Sequence, residues 1–232
     1  MNLFYQPDLL NGTYHLNEDE SHHAVKVFRL TEGDPIEITD GKGTLLTCRI
    51  TKADARKCVF EITDKFIQSS KPYFIHIAIA PTKNIDRTEW FVEKAVEIGI
   101  DQISFLLCQK SERKTINLER LQKHAISAMK QSHQLILPIL SPIENFFPFI
   151  KQTVADQKFI AYVDHENLHY LKDNIMKEKR YLMLIGPEGD FSKDELNHAL
   201  ENKFQKISLG PNRLRTETAG LAACHILNLL NQ

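Results

Sequence analysis

Two runs in the last third of the chain hold the residue types that bind ligands and place charge. The first is Ile185-Gly186-Pro187-Glu188-Gly189-Asp190-Phe191-Ser192, lying between an apolar stretch and a helix-capping sequence. Its two glycines remove side-chain bulk, and the helix opening behind it offers free N–H groups and positive dipole character to an anion. Spacing alone favours a plainer reading, a tight connection built for its own turn. The second run is Leu209-Gly210-Pro211-Asn212-Arg213-Leu214-Arg215-Thr216-Glu217-Thr218-Ala219. Thr216 is placed to cap the helix that follows, and Glu217 suits its first turn. Arg213 and Arg215 stand either at the mouth of a crevice or as solvated charges and partners of nearby acids. In open parallel sheets ligands bind beyond the carboxyl ends of the strands. Two glycine loops closing strands of one sheet therefore point toward a shared pocket.

Other chemistries leave no trace. There is no GxxxxGK[ST] or GxGxxG, and no GxSxG or HExxH motif, so nucleotide hydrolysis, a dinucleotide site and hydrolase or zinc-peptidase chemistry are not indicated. His22-His23 has no third ligand spaced near it, and reads as a surface or packing pair, so no metal is expected. Trp90 and Phe91 fall on an amphipathic pattern and read as core. Between Lys110 and Gln134, six lysines and arginines face two glutamates. That stripe suits either phosphate contact or a solvated helix face.

The elements that must position these residues fall into two rhythms. The first seventy residues alternate short strands and turns. Pro35–Thr39 and Thr44–Thr51 flank Asp40-Gly41-Lys42-Gly43 as a hairpin, and Lys57–Thr63 follows as a third strand. A helix over Glu18–Leu30, with Ala24, Val25, Phe28 and Leu30 on one side, interrupts them. Such units close into small barrels or sandwiches. Gln68–Pro72 reads as a linker, giving domains 1–70 and 73–232. Beyond it strands (Tyr73–Ala80, Ile103–Leu107, Lys158–Val163, Tyr181–Ile185, Lys206–Leu209) alternate with helices (Asp86–Ile98, Asn117–Ser132, Ser192 to about Lys203, Thr216–Leu230). Asp86 and Glu89 are spaced as a capping box, as are Ser192 and Glu195. This alternation calls for an α/β fold with a parallel sheet.

Composition sets the outer bounds. The 232 residues carry 29 Lys and Arg against 30 Asp and Glu, with 42% hydrophobic residues, which suits a soluble globular protein. No apolar run approaches the ~18 residues of a membrane span, and MNLFYQPDLL has no signal-peptide pattern. The four scattered cysteines form no CxxC pair, so a reducing cytoplasm is the expected home. A net charge of −1 argues against non-specific coating of nucleic acid, though not against a local basic patch.

The run IGPEGDFSKDEL followed by LGPNRLRTETAGLAACHIL resembles the signature of the RsmE family, methyltransferases that convert a 16S ribosomal RNA uridine to 3-methyluridine with S-adenosylmethionine. HHAVKVFRLTEGD, DGKG and KNIDRTEWFVEKAVEIGI extend the resemblance over nearly the whole length. It implies a C-terminal SPOUT fold with a deep trefoil knot, a PUA-like N-terminal β-barrel that helps hold RNA, and a homodimer. It places the cofactor on Ile185, Gly186, Pro187, Glu188 and Gly189, and on Leu209, Gly210, Leu214, Arg215, Thr216, Glu217, Thr218 and Ala219. Ile185, Leu209 and Leu214 would supply an apolar slot for adenine, and the glycines would let a bent cofactor lie against the backbone. Candidate RNA-contacting cations are Arg29, Lys83, Lys110, Arg113 and Lys130.

Three positions depart from the family pattern. Asp190 stands where glycine is common after GPEG, Lys110 replaces an arginine before Ser111, and Lys130-Gln131-Ser132-His133-Gln134 lacks the arginine that often ends this run. Lysine keeps the charge and loses the bidentate fork. Methyl transfer to uracil N3 calls for positioning and for stabilisation of a developing anion, a role expected of Arg215 as the catalytic residue. Glu217 is expected to be structural. The target uracil must be unpaired or flipped out. A SPOUT methyltransferase acting on transfer RNA and a non-catalytic RNA-binding assembly factor are the alternatives.

Overall fold

The computed structural model describes residues 2–9, 14–163 and 169–232. Contacts divide the chain into two compact units, Met1–Ser70 with Met129–Leu137, and Lys71–Ala128 with Pro138–Gln232.

The first unit holds a four-stranded sheet in the order β1-β2-β3-β4, with β1 at Leu3–Tyr5, β2 at Pro35–Thr39, β3 at Thr44–Lys52 and β4 at Val59–Ile67. β1 runs parallel to β2, and the other pairings are antiparallel. The β2–β3 turn is held by the Asp40 carboxylate, whose Oδ1 accepts from Lys42 N at 2.7 Å and Thr44 N at 3.0 Å. Phe4, Leu16, Ile36, Ile38, Leu46, Ile50 and Phe60 fill the core. The helix expected over Glu18–Leu30 is shorter. Asn17 caps α1, Glu18–His22, which widens into a π-turn at His23–Val27. Leu30 N then reaches back to Ala24 O, and Arg29 turns left-handed at φ 57°. Phe28 is consequently exposed rather than core-facing.

The linear boundary after residue 70 also misses a segment. Met129–Leu137 belongs to this first unit. Leu135 O accepts from Gly43 N at 2.9 Å, Gly41 O accepts from Leu137 N at 2.8 Å, and Lys130 Nζ pairs with Glu20 Oε1 at 2.6 Å.

The second unit carries a six-stranded, wholly parallel sheet in the order β10-β8-β9-β5-β6-β7. Its strands are β5 Phe74–Ile79, β6 Gln102–Leu107, β7 Ile139–Asn145, β8 Gln157–Ala161, β9 Arg180–Ile185 and β10 Gln205–Ile207. The helices are α2 Ile85–Ile98, α3 Leu118–Gln131 (which crosses into the first unit at Met129), α4 Phe146–Gln152, α5 Lys193–Glu201 and α6 Thr216–Asn231. Ala78, Leu106, Phe146, Phe149, Ile160, Leu182, Leu184 and Phe191 pack one core cluster. β7 and α4 carry no clear sequence signal. β7 contains Pro142, tolerated because the strand lies at the sheet edge, where pairing with β6 skips that residue.

Of the two expected capping boxes, one is absent and one forms. α2 is capped by Asn84, whose side chain accepts from Asp86 N at 3.1 Å. Glu89, read as the partner of Asp86 in a box, is buried and bound instead by Arg120 at 2.6 Å and His124 at 3.3 Å. The α5 box forms as read. Ser192 Oγ accepts from Glu195 N at 3.1 Å, while Glu195 Oε2 accepts from Ser192 N at 2.8 Å.

Candidate functional site

A cavity of about 650 Å³ opens beyond the carboxyl ends of three neighbouring strands, β10, β8 and β9. The volume falls in the range of sites that take ligands of cofactor size, ~300–1,000 Å³. Each strand contributes the residues that follow it. Ala161, Tyr162 and Val163 come from β8, Ile185 through Glu188 with Asp190 from β9, and Ile207 through Thr216 from β10. Arg87 of α2 and Ala219 of α6 complete the lining with Tyr170.

The wall mixes apolar surface with charge. Ile185, Leu209, Leu214 and Ala219 give an apolar slot, and Arg87, Arg213, Arg215, Glu188 and Asp190 bring five charged side chains to it. Glu188 is already engaged, since its Oε1 accepts from Lys83 N at 2.9 Å. Arg213 Nη2 leans over the Glu188 carbonyl at 3.5 Å. Burial raises the Asp190 carboxyl above its ordinary pKa, an effect opposed by N–H donation from Phe191 and Val163 and by the nearby Lys110 and Arg213 charges.

The glycines divide in an unexpected way. A Cβ on Gly186 would stand 3.1 Å from the Phe191 ring, and one on Gly189 3.3 Å from the Lys110 stem. These two positions are bare because the protein's own side chains fill the space. Gly210 differs. At φ +143° a Cβ there would meet nothing within 4 Å, so its backbone lies open to the cavity it lines.

Of the expected cofactor residues, Ile185, Gly186, Pro187, Glu188, Leu209, Gly210, Leu214, Arg215, Thr216 and Ala219 line the cavity, and Gly189, Glu217 and Thr218 do not. Thr216 does not cap α6. Arg215 holds the N-cap position with extended backbone (φ −72°, ψ 158°), and Thr216 Oγ1 donates to Gly186 O at 3.1 Å, tying the two loops together. Glu217 is buried in the first turn of α6, its Oε1 3.8 Å from Arg87 Nε. Thr218 is exposed.

The expected RNA-contacting cations are mostly occupied with structure. Arg113 donates from Nε to Thr82 O at 2.9 Å and from Nη2 to Lys83 O at 2.7 Å. Lys83 pairs with Glu112 at 2.8 Å, a bond that raises its pKa. Lys110 Nζ donates to Gly189 O at 2.9 Å and Phe191 O at 3.2 Å. Arg29 is exposed.

Sequence reasoning missed Arg87, the Ala161–Val163 wall and Tyr170. None lies in a glycine loop, and Arg87 reaches the cavity from a different helix. Trp90, read as core, is 42% exposed, and its neighbour Phe91 is fully buried.

Comparison with known proteins decides the family. The model for an RNA methyltransferase domain matches residues 69–228, and that for an RNA methyltransferase PUA domain matches 16–63. The chain belongs to the RNA methyltransferase family. It is 27% identical to Ribosomal RNA small subunit methyltransferase E of Buchnera aphidicola subsp. Acyrthosiphon pisum over 98% of this chain and 92% of that one. A probable rRNA-methyltransferase from Porphyromonas gingivalis superposes with a TM-score of 0.93 at 41% identity, covering 100% of this chain and 98% of that one. A Neisseria gonorrhoeae Ribosomal RNA small subunit methyltransferase E, bound to S-adenosyl methionine, superposes at 0.85 with 27% identity over 97% and 95%.

In this methyltransferase the four cysteines are buried free thiols, and burial pushes Cys224 up to about 12, so none is poised as a nucleophile. Among the described residues no group of three His, Cys, Asp or Glu is placed to hold a metal. Among them, too, no helix is long and apolar enough to cross a membrane.

Proposed function

We propose that this enzyme transfers a methyl group from S-adenosylmethionine to N3 of a uridine in the 16S RNA of the small ribosomal subunit, acting in the cytoplasm as a homodimer. The observation that carries the reading is the cavity beyond β10, β8 and β9, bounded by the two motif loops. Its residues fit the cofactor. Ile185, Leu209 and Leu214 offer a slot for adenine, the open backbone at Gly210 admits close approach, and the charged rim suits a zwitterionic amino-acid end. S-adenosylmethionine, when bound, supplies an electrophilic methyl on a sulfonium.

The chain's own residues do the rest. Arg215 stands at the start of α6, exposed and at the cavity rim, where its guanidinium meets the developing uracil anion or the target phosphate. Arg87, 3.8 Å from the buried Glu217, adds a second cation at the same rim. Positioning a flipped base there supplies most of the acceleration, since the base and the methyl donor must meet in line. The first unit, built on residues 1–70, holds RNA, with Arg29 among its contacts. The second unit, Lys71–Ala128 with Pro138–Gln232, binds cofactor, with Lys83, Lys110 and Arg113 serving its loops before any RNA.

Transfer of labelled methyl to small subunits from cells lacking the modification tests this, with naked 16S RNA and bulk transfer RNA alongside and nucleoside mass spectrometry on the products. Label recovered as 3-methyluridine in the subunits is expected. Label confined to transfer RNA would keep the chemistry and overturn the substrate.

A further inference from the structure

Lys110 and Asp190 lie eighty residues apart in the chain, and the structure brings them to the same loop. Lys110 Nζ donates to Gly189 O at 2.9 Å and Phe191 O at 3.2 Å, the carbonyls on either side of Asp190. Its stem lies against Gly189, where a Cβ would come within 3.3 Å. Asp190 is a non-glycine residue at φ 60°. Its two oxygens are used separately. Oδ1 accepts from Phe191 N at 2.8 Å, and Oδ2 accepts from Val163 N, in the segment after β8, at 3.2 Å. Lys110 is itself anchored, because Glu195 Oε1 of the α5 capping box accepts from the adjacent Gln109 N at 2.8 Å. Val163 and Asp190 both line the cavity.

We propose that Lys110 and Asp190 together are positioning residues for the cofactor pocket: the ammonium clamps the loop after β9 from behind, and the carboxylate latches that loop to the segment after β8, setting the width of the cavity between them. Neither acts on the reacting atoms. The proposal rests on the assignment of this cavity to S-adenosylmethionine, and its sign follows from the bonds. A left-handed backbone is easier for glycine than for aspartate, so Asp190→Gly keeps the loop path and removes the latch to Val163 together with the local bond from Phe191 N. Asp190→Asn leaves one acceptor oxygen for two N–H groups, so it satisfies Phe191 N or Val163 N and not both. Lys110→Met removes the clamp and keeps the stem, whereas Lys110→Arg restores a donor.

The test uses the full-length protein. Steady-state kinetics should show the KM for S-adenosylmethionine rising about tenfold in Asp190→Gly and in Lys110→Met with kcat within about twofold, one or two hydrogen bonds' worth of ground-state positioning. Lys110→Arg should recover most of the loss. The double variant should lose less than the product of the two single effects, since both groups fix residues 189–191. Amide exchange gives a reading without cofactor: Val163 N–H should lose protection in Asp190→Gly while melting temperature holds or rises. Unchanged KM in both single variants, or a fall in kcat with KM intact, would overturn the proposal, as would unchanged Val163 exchange in Asp190→Gly. A wild-type protein that binds no S-adenosylmethionine would instead remove the cofactor assignment, with the latch still judged by the exchange measurement.

Discussion

The two glycine loops of the second unit have the same outline, strand then glycine then helix, yet they are built for opposite ends. The loop after β9 is packed by its own protein: Phe191 fills the space beside Gly186, Lys110 the space beside Gly189, and Lys83 N holds the Glu188 carboxylate. The loop after β10 is left open. Gly210 faces nothing within 4 Å, and Asn212, Arg213 and Arg215 are exposed on the cavity rim. A rigid wall facing an open, cationic one suits a site where both loops hold a cofactor and the open one also meets a large anionic substrate. Identical motif grammar thus conceals a difference in packing that only the neighbours reveal.

If that difference in packing divides the labour, removing the Arg215 side chain from the open loop should act on chemistry, and overfilling the packed loop should act on stability. The largest effect is expected from Arg215→Ala. Removing a cation that stabilises developing charge should lower methyl transfer about 100-fold, with cofactor affinity by calorimetry within a few-fold. Transfer unchanged with cofactor bound would remove Arg215 from the chemistry. Next comes Gly186→Val on the packed loop. A branched side chain driven into the Phe191 ring overpacks the core, and should cost about 2–3 kcal/mol of stability, read from denaturant midpoints. Gly210→Ala, by contrast, meets no atom and carries only the strain of a side chain at φ +143°, on the order of 1–3 kcal/mol. A larger loss in Gly210→Ala than in Gly186→Val would reverse the comparison.

The legible parts of this molecule were those written in local spacing. Ser192 and Glu195 announce the α5 cap because both partners lie within one turn, and the β2–β3 hairpin is equally self-contained. What escaped was decided at a distance. Thr216 looks like a cap, but Arg215 takes that position and the hydroxyl is claimed by Gly186 O, thirty residues away. Glu89 looks like half of a capping box, but Arg120 and His124 of α3 claim it. Pro138, Pro142 and Pro148 disguise β7 and α4 as loop. Met129–Leu137 joins the first unit through pairings with Gly41 and Gly43, which periodicity does not encode. The strand order β10-β8-β9 is equally invisible in the alternation of elements, and it is that order which brings the segment after β8 into the pocket wall.

The smallest expected effect probes the buried hydroxyl bond between the two loops. Thr216 is buried and its Oγ1 donates to Gly186 O at 3.1 Å, so Thr216→Val keeps the shape and removes the donor. The net cost should be about 1 kcal/mol, the worth of one buried neutral hydrogen bond. Its interest lies in coupling. If the packed loop positions the open one through this bond, Thr216→Val and Gly210→Ala should show a non-additive loss in cofactor affinity, because both loosen the same end of the loop after β10. Strict additivity, with the stability cost alone surviving, would mean that the open loop is placed by the start of α6 and not by its packed neighbour. The two loops would then share a cavity without being coupled through this bond.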